Sequence, residues 1–210
     1  MAIRKRAVSA IFGAVAAAAV VGLSAAPAMA MPATSLKAKV SGGGAITAKS
    51  TGKTILSDNG VSVTCSSSKA SGKINNGTKT GAAPLEVGTT TKLSFTNCNG
   101  PLGKVTTTIE GTPYKISVVG RTNSKGNTDG IIGPVTVKTS MTGCSFEVTG
   151  YSPGYYSNSK HELVVTPVKG IKQDLTVKDV DGCAGLVKDG NHPTYTSTYK
   201  VNKHVKITVT

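Results

Sequence analysis

The chain has 210 residues, of which 38% are hydrophobic and only 4% aromatic, and 24 lysines and arginines against ten acids give it a net charge of +14. That length suits one domain large enough to bury a core, and the scarcity of aromatics argues against a membrane β-barrel, whose interfacial girdles need them. Arg121 is the only arginine after residue 30, which argues against specific nucleic-acid reading, because bidentate contacts to phosphates and base edges favour arginine over lysine.

Residues 1–30 have the grammar of a secretory signal peptide. Arg4, Lys5 and Arg6 precede an apolar stretch over residues 7–23, and Ala28-Met29-Ala30 fits the small-x-small cleavage rule. Cleavage after Ala30 is favoured over an uncleaved anchor, since no stop-transfer flank follows. It leaves a secreted body, residues 31–210, with no transmembrane segment and a net charge of +11. Its four cysteines, Cys65, Cys98, Cys144 and Cys183, are an even set in an exported chain and predict two disulfides. Three connectivities are possible. Sequential pairing, Cys65–Cys98 and Cys144–Cys183, is preferred because it staples each half over loops of similar length.

In chain order, residues 31–44 are expected to be a flexible N-terminal segment, with short alternating runs at 36–40 and 45–48 as candidate first strands. Residues 53–56 and 61–65 flank Asp58-Asn59-Gly60, strong hairpin chemistry, and Val63 and Cys65 share an inward face. Residues 66–84 have little apolar content and several lysines, and Asn75-Asn76-Gly77 reads as a turn or loop tip. Leu93 and Phe95 alternate with Ser94 and Thr96 in a strand that ends at Cys98. Runs at 105–109 and 114–119 around Gly111-Thr112-Pro113 suggest a hairpin. Residues 123–133 are expected to be loop, and 135–140 with 144–149 a further hairpin. An aromatic-dense loop over 151–160 and strands at 163–168 and 175–177 follow. Residues 195–209 give the longest clean alternation, apolar on one side and polar on the other. No helical periodicity of useful length is present. The fold class is all-β: a single β-sandwich or Greek-key-like barrel with two disulfides.

Candidate chemistry is sparse. His161, His192 and His204 lie beside no recognisable nucleophile elbow, so no catalytic residue is assigned and the chain is expected not to be an enzyme. Asp179 and Asp181 begin like a calcium loop, but the later ligands are missing, and the cysteines lack zinc spacing, so neither a metal nor another cofactor is expected. Tyr151, Tyr155 and Tyr156 are the candidate recognition surface, since a tyrosine ring stacks on sugars or polymers at small entropic cost.

The run from Leu93 to Gly103 (Leu-Ser-Phe-Thr-Asn-Cys-Asn-Gly-Pro-Leu-Gly), Gly143-Cys144-Ser145, and Gly182-Cys183-Ala184-Gly185 before the alternating C-terminal strand together resemble a group of small secreted four-cysteine β-rich proteins of actinomycetes. The resemblance spans about residues 45–210. It implies a disulfide-bonded extracellular domain and carries over no catalytic residue, and the richness in lysine departs from the group. The expected function is a monomeric, non-enzymatic binding module attracted to an anionic cell-wall polymer or lipid surface. The alternatives are a saccharide- or polymer-binding module using the three tyrosines, and a secreted hydrolase or hydrolase inhibitor. The plainest account of the lysines is solubility and protection of strand edges.

Overall fold

The computed structural model describes residues 35–171 and 173–210. The expected signal peptide lies outside these residues. The strands are β1 (Ser35–Ser41), β2 (Gly44–Ser50), β3 (Thr54–Asp58), β4 (Val61–Ile74), β5 (Gly77–Ala82), β6 (Leu85–Gly100) and β7 (Gly103–Glu110). They continue with β8 (Tyr114–Val118), β9 (Asn127–Met141), β10 (Cys144–Ser157), β11 (Glu162–Val165), β12 (Thr176–Gly182), β13 (Thr194–Val201) and β14 (Lys206–Val209). All their pairings are antiparallel.

The main sheet closes on itself. β4 pairs with β6, β6 with β7 and β8, those two with β9, β9 with β10, β10 with β11, β11 with β13, and β13 with β2 and β3, which return to β4. Among the described residues this makes a barrel of eight staves, three of them built from two shorter strands end to end (β2 with β3, β7 with β8, β11 with β12). The all-β body with two disulfides therefore takes the barrel form. Its staves follow one another as a meander, the last closing on the first.

The ends of the barrel are filled differently. At one end a three-stranded sheet in the order β14-β1-β5 lays Leu36, Ala38, Val40, Ile207 and Val209 against Ile74, Val87, Val118, Tyr156 and Val201 of the staves. Strict alternation in β1, with Leu36, Ala38 and Val40 buried between exposed serines and lysines, gives this cap its single apolar face. Asn158 ties it down, donating to the Ile207 carbonyl at 2.7 Å while accepting from the Ile207 N–H at 2.8 Å. At the other end Val63, Val105, Met141, Phe146 and Val177 pack around the disulfides Cys65–Cys98 and Cys144–Cys183. Cys65 and Cys98 stand directly opposite each other in neighbouring staves.

Several local expectations are corrected. Residues 35–41 are not a flexible segment but the central strand of the cap, bonded on both edges. Residues 66–84 are largely strand, because the inward positions of β4 are Ser68 and Ala70, too small to register as apolar periodicity. β9 likewise starts inside the expected 123–133 loop, and Tyr151 to Ser157 belong to β10. The runs around Gly111-Thr112-Pro113 do not pair with each other; both pair with β9, so this tripeptide interrupts one stave. The C-terminal alternation breaks at residues 202–205, and its two parts serve different sheets. The hairpin at Asp58-Asn59-Gly60 forms as expected, with both Asn59 and Gly60 at positive φ.

Candidate functional site: a lysine-lined outer wall

Barrel closure brings together lysines that are far apart in sequence. Alternation on β2, β4, β6 and β13 turns Lys49, Lys69, Lys73, Lys92 and Lys200 outward, and all are exposed. The register makes neighbours of three: Lys200 lies opposite Lys49, and Lys49 opposite Lys69. Adjacent staves are about 4.8 Å apart, so three ammonium groups cross the wall in a single row. The carboxylate in line with them is Glu162, at the row's β11 end, where it lies 3.9 Å from Lys200. Among the described residues Lys49, Lys69, Lys73 and Lys92 have no ion-pair partner.

The opposite wall is built otherwise. There Glu147 of β10 lies between Lys178 of β12 and Lys138 of β9, so the signs alternate across the strands. Lys138 also meets Glu110 at 3.0 Å, which with Glu147 and Asp179 holds its ammonium above the usual lysine range. Where the two walls meet, Lys115 of β8 pairs with Glu86 of β6 at 3.6 Å. Opposite charges facing each other across strands stabilise a sheet by roughly 0.2–1 kcal/mol per pair, and like charges destabilise it. One wall observes that rule and the other breaks it twice.

The three tyrosines expected to form one surface are separated. Tyr156 points inward, is 8% exposed, and donates to the Val205 carbonyl at 2.8 Å, whereas Tyr155 lies on the other face of β10. Tyr151 stands at a bulge, 36% exposed, beside Pro84 and Ile171. A platform made of all three does not exist. The His161 and His204 rings lie side by side with centroids 4.3 Å apart and planes tilted by 48°, and His192 Nδ1 lies 3.0 Å from the Leu175 carbonyl oxygen. Asp179 and Asp181 lie on β12, and among the described residues no group of three or more His, Cys, Asp or Glu side chains could hold a metal ion.

Burial pushes the Tyr156 hydroxyl up to about 12, and burial, together with the neighbouring Tyr199, raises that of Tyr195 well above its ordinary value. Both pKa values in the fold exceed the unfolded value near 10, so their stabilising contribution is complete below about pH 10 and is lost as the pH climbs through the raised values. Thermal melts should therefore hold level from about pH 7 to 9 and drop above about pH 10. Tyr156→Phe should lower stability at neutral pH by about 1 kcal/mol, for its lost hydrogen bond, and reduce the alkaline drop. An unchanged alkaline slope in that variant would contradict the assignment.

Among the described residues no helix is long and apolar enough to cross a membrane. No family model, curated protein or solved structure matches this chain.

Proposed function

We propose that this chain is an exported, non-enzymatic binding module whose β13-β2-β4-β6 wall engages a linear anionic polymer of the cell envelope. The single observation that carries this reading is the row Lys200, Lys49, Lys69, in which like charges face each other directly while the opposite wall alternates them. Solubility alone would be served by lysines in any arrangement. A row that costs folding stability is retained where a polyanion offsets the repulsion. Because the wall is the convex outside of a barrel, a flexible polymer can follow it, whereas a flat lipid surface touches it only along a line. The two disulfides suit an oxidising compartment outside the cytoplasm.

The test is retention on immobilised polyphosphate at low salt. The triple variant K49Q/K69Q/K200Q should bind at least about tenfold more weakly than the parent and fold at least as stably. A control of equal charge, K104Q/K115Q/K178Q, removes lysines from other strands and should stay within about twofold of the parent. Equal loss in both variants, or binding by the parent that is indifferent to about 0.5 M salt, would reject a dedicated wall.

A further inference from the structure

The barrel is not packed solid. Between the capped end and the disulfide end lies a cavity of about 130 Å³, lined from every stave by mostly apolar side chains, among them Leu56, Leu93, Phe95, Val137, Leu163 and Tyr195. Eight staves enclose an interior that side chains either fill or leave open for one small ligand. Here small residues, Ala48 and Ala70, stand at inward positions where larger ones would fill the space.

Two hydroxyls face this cavity without a hydrogen-bond partner. Thr54 is 1% exposed and Ser152 6%, both line the cavity, and among the described residues neither Oγ1 of Thr54 nor Oγ of Ser152 meets a donor or acceptor. A buried polar group left unmatched is destabilising, so two of them on an apolar chamber favour a ligand that can pair with them. A third polar feature is already satisfied: the Tyr195 and Tyr199 hydroxyls lie 2.6 Å apart, and Tyr199 reaches the Ser68 hydroxyl at 2.8 Å. Among the described residues no charged side chain lines the chamber.

The wall also has a way in. β6 pairs with β8 only through Leu85 to Thr90 and with β7 only through Cys98 to Gly100, so residues 91–97 have no strand partner on that side among the described residues. Across the gap residues 106–110 of β7 pair only with β9. The ladder is open there for seven residues of β6, and the inward side chains beside it, Leu93, Phe95 and Thr107, are half-buried.

We propose that the barrel interior is a second binding site, separate from the lysine wall, for a small uncharged apolar molecule carrying one hydroxyl or carbonyl group, admitted through the seam between β6 and β7. The volume sets the size, since an apolar protein cavity of about 150 Å³ takes benzene. The absence of a lining charge sets the neutrality, because a buried unpaired ion is strongly disfavoured. Thr54 and Ser152 supply the polar contact.

Benzyl alcohol, toluene and benzoate are the probes, followed by methyl resonances of the leucines and valines. Benzyl alcohol should shift the Leu93, Val137 and Leu163 methyls, with benzoate at least about tenfold weaker. The variant pair T54V/S152A should weaken benzyl alcohol about tenfold while leaving toluene within about twofold. Filling the chamber with Ala70→Leu should abolish both shifts, and Ala48→Val offers the same test should the first variant fail to fold. No methyl shift with either neutral probe at about 10 mM would overturn the site, as would unchanged binding in a folded chamber-filling variant. Equal affinity for benzoate, or a hydroxyl preference that survives T54V/S152A, would overturn the assigned ligand class.

Discussion

Replacing Cys144 and Cys183 together by alanine lowers the unfolding free energy by about 4 kcal/mol, and the same exchange at Cys65 and Cys98 lowers it by nearly as much. The bridges close chain segments of 39 and 33 residues, and loop closure of that length removes a similar entropy from the unfolded chain in each case. Both lie in the apolar cluster at the end of the barrel opposite the cap, where the cap cannot compensate for their loss. Alanine is the appropriate replacement because a serine hydroxyl would be buried there; Cys183 is fully enclosed. Urea titration should show an earlier midpoint for each variant, and the doubly reduced protein should lose most of its stability. A midpoint equivalent to within about 0.5 kcal/mol of the parent would show that the staves hold together without covalent help.

The second large effect is expected at Gly150, just past Thr149, where the pairing of β10 with β12 ends; pairing with β11 takes over only from Gly154. Its φ is +121°, and a Cβ built there would lie 1.9 Å from the Asp174 carbonyl oxygen. Gly150→Ala therefore adds a strained backbone to a collision with another segment's main chain, which cannot rotate away as a side chain would. Each contribution is roughly 1–3 kcal/mol, so a loss of about 3 kcal/mol or more is expected. Gly60→Ala is the control. It too has positive φ, at +84°, but its Cβ would meet nothing within 4 Å, so it should lose only about 1 kcal/mol. Equal losses at the two positions would mean that crowding by Asp174 does not matter.

Much of the strand content was legible because half-buried strands advertise themselves by alternation and tight turns by their residues. Leu93 and Phe95, the Asn59-Gly60 turn and the paired cysteines all follow from local chemistry. What local chemistry could not supply was closure. Lys49 meets Lys200 and Ser50 meets Tyr199 across some 150 residues of chain, and nothing near either end of that span signals the pairing. The interior hid β4 for a related reason: Ala70 faces the chamber and Ser68 is buried against the Tyr199 hydroxyl, so small inward side chains fit there and β4 loses the apolar rhythm that would have revealed it. Each lysine was visible in the sequence, but the row was not, because a cross-strand neighbour is defined only by register. The tyrosines misled in the opposite way. Their closeness in sequence suggested one surface, and the two-residue period of β10 put Tyr155 and Tyr156 on opposite faces.

The most direct measurement is a map of where a polyanion touches the protein: backbone amide shifts of isotope-labelled protein titrated with polyphosphate at low salt. The shifts should concentrate on Lys49, Lys69, Lys73, Lys92, Lys200 and the residues between them, and should vanish as salt is added. Shifts of equal size around Lys104, Lys115, Lys138 and Lys178 would show a diffusely basic surface with no dedicated wall.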